Sequence, residues 1–423
     1  MAASNQHARL ISGDGREALL KDIDRKLLAR EVAVSRRAMP SCDWAPVADA
    51  IVADRRDWET PLRKPEAAID RSLMGGVQEF LERGVVAPLA RLEPDKVAAI
   101  RAYLDPLPVY RGSHIFSADP RQVPFAEAQA DSNFAGYTAD QLLRAPHLVD
   151  FLNSPAIVDF IEAALGCVPT LYSVNAWWSL PATVPVGHGM QIFHRDNDDW
   201  RFFTLFLYLT DVDDDSGPHQ IVAGSHTLAG TQKLLDEATG TAAFEARQSF
   251  VQDTYFDKTF SAFVERQLGH RIVNVGGPAG TAFLANTLAI HRGLMPTKKP
   301  RLVVWARFGL GPNTNSVDLE QGPLGRFQVP TLLPDTLRNR FVNRLLFEFD
   351  RGNDFTSDVP GWQAPASVQA SAPPPDTPKV TLSIPPAPAD IRSPEMRSIA
   401  VARRTGARRN FVQAMLNSVF KRS

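Results

Sequence analysis

Between residues 170 and 309 the chain carries roughly seven or eight short apolar runs separated by turn residues, and such a series reads as strands. Helix-patterned stretches flank these runs, and one interrupts them at 228–268. Together the observations predict a mostly β fold with helical additions, built on a double-stranded β-helix core of the jelly-roll or cupin-like type.

In chain order, residues 1–104 read as a helical N-terminal lead-in. Ala18 to Val34, Val47 to Ala53 and Leu73 to Phe80 have helical periodicity, and Leu92-Glu93-Pro94-Asp95 starts a further helix with proline and an acid in its first turn. Arg36-Arg37 and Arg55-Arg56 read as solvated charge. The core is expected over 105–312. It opens with short strands at Val109 to Arg111 and Ile115-Phe116 and helices at Ala139 to Leu143 and Ser154 to Leu165. Ser154-Pro155 offers an N-cap with proline at the first helical position. Strands then follow at Thr170 to Leu180, Met190 to His194, Phe202 to Tyr208, Gln220 to Ala223, Arg271 to Val275, Thr281 to Ala289 and Leu302 to Gly309.

The insert at 228–268 has helical spacing at Thr231 to Ala238 and Thr259 to Gln267, and would lie over the barrel mouth. Its Tyr255, Phe256, Phe260 and Phe263 either close a substrate pocket or form the insert's own core. Residues 313–357 read as C-terminal helical support, with one helix over Leu337 to Phe349. Residues 358–390 are a Pro-rich linker. In the basic tail, 391–423, Phe411, Val412, Met415, Leu416, Val419 and Phe420 form one apolar stripe on a short helix. Such a helix suits an anionic membrane surface or a protein partner's groove, or docks on its own domain.

Composition narrows the function classes. The formal net charge is -1, so overall charge makes no case for nucleic acid or membrane. Cys42 and Cys167 are the only cysteines, which fits a reducing, cytoplasmic compartment. The N-terminus lacks a signal pattern. Ile272 to Ile290 is uncharged, but Gly276-Gly277-Pro278 and Gly280 break it into two buried strands rather than a membrane span.

His194-Arg195-Asp196 is the one His-x-Asp in the chain. Residues i and i+2 of a strand share a face, so an imidazole and a carboxylate would enter one space. Two His and one carboxylate with open positions form the facial triad of non-haem Fe(II) enzymes. The triplet alone is weak. With 9 His and 47 Asp+Glu in 423 residues, chance supplies about one His-x-acid. Candidates for the third ligand are His219, His226, His270 and His291. His291 is best placed, at the end of the run from Gly280 to Ile290. Ten residues later Arg301 opens another strand, where an inward guanidinium could grip a carboxylate.

The order of H-x-D, Gly217-Pro218…Gly224-Ser225-His226, distal His and then Arg resembles the phytanoyl-CoA dioxygenase family of Fe(II)/2-oxoglutarate oxygenases, over roughly residues 105–310. The resemblance implies iron on His194, Asp196 and His291, and Arg301 on the distal carboxylate of 2-oxoglutarate. Trp200 matches an aromatic found there in some members. The distal His is often followed by Gly-Ser but here by Arg292-Gly293, so Thr204 or Asn286 stands as the replacement contact to the co-substrate. Asp196 implies hydroxylation rather than halogenation, since related halogenases lack the carboxylate. The implied reaction consumes O2 and hydroxylates an unactivated C–H of a small molecule, releasing succinate and CO2. Arg307, with Tyr255 and Phe256, is a substrate-contact candidate, and Arg307 could instead pair with Asp198, Asp199 or Asp213. Two other readings stand beside this one. The first is a cupin-like metal-dependent isomerase or lyase without 2-oxoglutarate, which has no need of Arg301. The second is a non-catalytic binding module using the basic tail.

Overall fold

The computed structural model describes residues 59–63, 73–111, 121–181, 189–238 except Asn197, 258–310, 327–328 and 333–349, with single residues between 45 and 55. The expected strand at Ile115-Phe116, the aromatic pair Tyr255 and Phe256, the linker at 358–390 and the basic tail at 391–423 lie outside the described residues.

Helix α1 (Leu73–Arg83) turns directly into strand β1 (Val85–Arg91). The turn is made at Gly84, with φ of +78°, and a Cβ there would meet His226 Nδ1 at 2.8 Å. Helix α2 (Pro94–Leu104) follows, then β2 (Val109–Arg111), β3 (Gln122–Val123), α3 (Phe125–Asp131) and β4 (Phe134–Gly136). Three helices come next: α4 (Ala139–Leu143), α5 (Leu148–Leu152) and α6 (Pro155–Leu165). A capping box between Thr138 and Gln141 starts α4. Gly166 ends α6 in the left-handed conformation.

The barrel strands are β5 (Thr170–Ser179), β6 (Phe202–Tyr208), β7 (His219–Val222), β8 (Ile272–Val275), β9 (Thr281–Ala285), β10 (His291–Gly293) and β11 (Arg301–Gly309). Between β7 and β8 stand α7 (Leu228–Glu237) and α8 (Lys258–Leu268). Strand β12 (Phe327–Gln328), helix α9 (Leu337–Asn343) and β13 (Phe347–Glu348) complete the described elements.

Two antiparallel sheets make the jelly roll. The larger has the order β1-β9-β6-β11-β5-β4-β2-β3, and the smaller β10-β7-β8. Period-2 alternation decides what each face meets. Leu302, Val304, Ala306 and Phe308 of β11, with Phe203, Leu205 and Leu207 of β6, join the main core on the outer face. There Phe80 of α1 packs edge-on against Phe203, with ring centroids 4.8 Å apart. The alternate residues Val303, Phe206, Tyr208 and Phe283 belong to a second cluster, which Ile221 of the smaller sheet also joins. The barrel interior is therefore lined from both sheets.

Four differences from the sequence reading have physical causes. The stretch read as helical lead-in contains a strand, β1, at the edge of the large sheet. Its register shifts between Val86 and Ala90, around Pro88, and an edge is where proline is tolerated. Met190 to His194 is not a strand: Gly189–Gln191 is a 3-10 turn, and only His194 bridges to His291. The run from Thr281 to Ala289 ends as a strand at Ala285. Arg55, read as solvated, is buried: it pairs with Glu59 and donates to Leu310 O and Val168 O. Its guanidinium satisfies carbonyls that the fold would otherwise leave bare. Among the described residues, no helix is long and apolar enough to cross a membrane.

Candidate metal centre

His194 and His291 face each other across a single two-way bridge. His194 N donates to His291 O and His291 N to His194 O, both at 2.9 Å. This short pairing substitutes for the expected strand, and it sets the two imidazoles side by side with ring centroids 4.2 Å apart. Each ring is oriented by its own backbone. The Nδ1 atoms lie 2.9 Å from Ile192 O and Ala289 O respectively, so Nδ1–H donates and Nε2 is left with its lone pair. Asp196 enters from the other side, its backbone N donating to Thr287 O. Its two carboxylate oxygens lie 3.8 Å from His194 Nε2 and 3.8 Å from His291 Nε2. One ligand atom from each residue falls within 4.8 Å of the others.

The charge states suit a divalent cation. Burial pushes both imidazoles down, His291 to about 3, so both are neutral donors at ordinary pH. Burial would raise Asp196, but Arg307 and the two imidazoles outweigh it and hold the carboxyl below its usual range. Two neutral nitrogens and one carboxylate, with no fourth His, Cys, Asp or Glu in the cluster among the described residues, are an open donor set.

The segment Gly224-Ser225-His226 supports this geometry from behind. Arg195, the middle residue of H-x-D, points away from the triad and donates to Ser225 O, Leu288 O and Thr231 Oγ1. Ser225 Oγ accepts from Ile290 N, the residue before His291. His226 is held on Leu81 O at 3.0 Å. His270 is tied to Glu237 at the surface.

Arg301 is buried at the start of β11. It donates to Ser179 Oγ at 3.1 Å and to Leu294 O at 3.4 Å, Nε has no partner, and no carboxylate pairs with it among the described residues. Burying a guanidinium without an anion is costly, so this cation is shaped for an anionic group. Arg307, six residues on, takes the alternative expected for it: it donates to Asp196 Oδ2 at 3.1 Å and forms an ion pair with Asp198 Oδ2 at 2.6 Å. Both ends of its guanidinium are thus engaged with carboxylates of the site. Thr204 lies beneath the triad carboxylate, 3.0 Å from Thr287 Oγ1, which itself hydrogen-bonds Asp196. Asn286 accepts from Leu288 N and caps the turn that leads to His291. Trp200 is packed in the main core rather than at the triad. Phe260 and Phe263 likewise sit with Phe193, Leu234 and Ile290 in a core between insert and barrel. The sequence reading missed Thr287, since nothing in its spacing marks a turn residue as the support of Asp196.

This is the architecture of a jelly-roll metalloenzyme, with an open two-His, one-carboxylate centre inside the barrel. Residues 80–301 match phytanoyl-CoA dioxygenase, and the chain belongs to that family of Fe(II)/2-oxoglutarate-dependent oxygenases. No curated protein matches by sequence. Similar solved structures include the epimerase SnoN in complex with Fe3+, alpha ketoglutarate and nogalamycin RO, at 18% identity over 61% of this chain and 92% of that one, with a TM-score of 0.41. The alpha ketoglutarate dependent carbocyclase SnoK is 16% identical over 57% and 84%, with a TM-score of 0.36. HygX from Streptomyces hygroscopicus, with nickel, 2-oxoglutarate and hygromycin B bound, is 13% identical over 57% and 87%, with a TM-score of 0.37.

Proposed function

We propose that the protein hydroxylates an unactivated C–H bond of a small molecule, consuming 2-oxoglutarate and O2 and releasing succinate and CO2. In this reading His194, Asp196 and His291 hold Fe(II), and Arg301 binds the distal carboxylate of 2-oxoglutarate. The observation that carries it is the pairing of an open triad with a buried guanidinium that has no carboxylate partner among the described residues. Arg301 also weighs against a metal-dependent isomerase or lyase without co-substrate, which would leave that buried charge without purpose. The bound iron supplies the oxidising chemistry.

The chain's own residues supply position and exclusion. The carbonyls of Ile192 and Ala289 fix the tautomer and angle of each imidazole. Arg307 and Thr287 hold the Asp196 carboxylate, so a metal meets a preformed set. Phe206 and Phe283 stack on one another in the barrel interior and give it an apolar wall that excludes water. Tyr255 and Phe256 remain the proposed substrate contacts from the insert.

The test is anaerobic titration with Fe(II) and 2-oxoglutarate, reading the visible metal-to-ligand charge-transfer band. The native chain is expected to give the band, with Asp196→Ala and Arg301→Ala each weakening it. Iron binding with no band on adding 2-oxoglutarate would refute the co-substrate assignment. Succinate release in a substrate screen, with the product gaining one oxygen, then tests hydroxylation itself.

A further inference from the structure

We propose that His219 is a second donor to the distal carboxylate of 2-oxoglutarate, acting beside Arg301. The proposal rests on the oxygenase reading above and deepens it. In the β7–β10 pair, His219 stands directly across from Gly293, and Ile221 across from His291. Residues in register share a face, and so do i and i+2 on each strand. His219 therefore points to the side on which His291 presents its imidazole. Its ring lies 5.4 Å from that of His291, 4.6 Å from Phe206 and 5.4 Å from Phe283.

Within this apolar enclosure His219 is 6% exposed, and its Nε2 is buried with no hydrogen-bond partner among the described residues. Leaving a buried ring nitrogen unmet carries a penalty, and with its hydrogen on Nε2 the imidazole calls for an acceptor there. The triad's ligand atoms converge without this ring, so it is not needed as a metal ligand. What adjoins it is Arg301: a Cβ built at Gly293, the residue facing His219, would lie 2.9 Å from Arg301 Nη2. Gly293 thus makes room for the guanidinium at the strand position directly across from His219. A buried cation and a buried imidazole without a partner at Nε2, both beside Gly293, are complementary to a carboxylate, which accepts from both. That point is two residues along β10 from His291, or roughly 7 Å by strand rise, a span suited to a five-carbon keto diacid chelating a metal on that imidazole.

The experiment uses the full chain, loaded anaerobically with Fe(II), and two keto acids. One is 2-oxoglutarate. The other is 2-oxopentanoate, which has the same chelating end and chain length but no distal carboxylate. His219→Leu should weaken 2-oxoglutarate by about tenfold, read from the charge-transfer titration, and leave 2-oxopentanoate unchanged. His219→Gln, which keeps an N–H donor, should recover most of the loss. His219→Phe is a second donor-less variant should the leucine variant misfold. Equal weakening of both keto acids, or of neither, overturns the role of His219 while leaving the oxygenase reading intact. Absence of a band in the native protein overturns both.

Discussion

Arg195→Met is expected to destabilise the fold and loosen both metal-binding segments at once. Arg195 is among the largest fully buried side chains, 1% exposed, and donates to two backbone carbonyls, Ser225 O and Leu288 O. A hydrogen bond from a charged donor is worth about 1.5–3 kcal/mol, and methionine fills similar volume without donating. Removing two such bonds strands Leu288 O, while Ser225 O keeps Thr231 Oγ1, and puts the loss at ~4 kcal/mol. For a cooperative unit of about 150–250 residues that corresponds to a fall in Tm of about 8–16 °C. Because Leu288 lies on the turn before His291, Ser225 holds the backbone N of Ile290, and Arg195 sits between His194 and Asp196, Co(II) affinity should fall about tenfold as well. Urea denaturation and a Co(II) absorption titration measure the two effects. Arg195→Lys keeps the charge but not the planar fork, and should fall between native and methionine variants. A stability loss under about 1 kcal/mol for Arg195→Met would sink the argument that this guanidinium ties the two segments together.

Acid should unfold the metal-free protein earlier than carboxylates alone would. Burial lowers the imidazoles of His194, His219, His226 and His291 in the folded chain, while the unfolded chain takes up their protons below about 6.5. The unfolded state then binds more protons, so stability falls as pH drops below that value, and for His291 continues to fall down to about 3. The urea midpoint at pH 5 should be clearly below that at pH 7, and an unchanged or higher midpoint would contradict the sign. Cys167 is buried with its thiol pushed up to about 12. In a Cys42→Ser background no thiol should react with a chromogenic disulfide at pH 8 until denaturant is added, and prompt reaction would show that the helix–strand junction opens.

Much of the centre was legible in the residues. A strand's two-residue period and the run of short apolar segments are local properties, so Phe202–Tyr208 was bounded as found, and the jelly roll followed from their number. Ligand chemistry is also local, because only certain side chains can donate to iron, and His194, Asp196 and His291 converge as their order implied. Tertiary packing decided the rest. His194 is presented from a single bridge rather than a strand, because pairing with His291 sets its backbone where local sequence favours a turn. Arg307 and Arg301 share one face of β11 and look alike in sequence, yet one meets Asp196 and Asp198 while the other meets no carboxylate among the described residues. Trp200 went to the core and His219 to the pocket wall for the same reason: which side of a barrel a residue faces is set by register between distant strands, and no spacing within one strand records it.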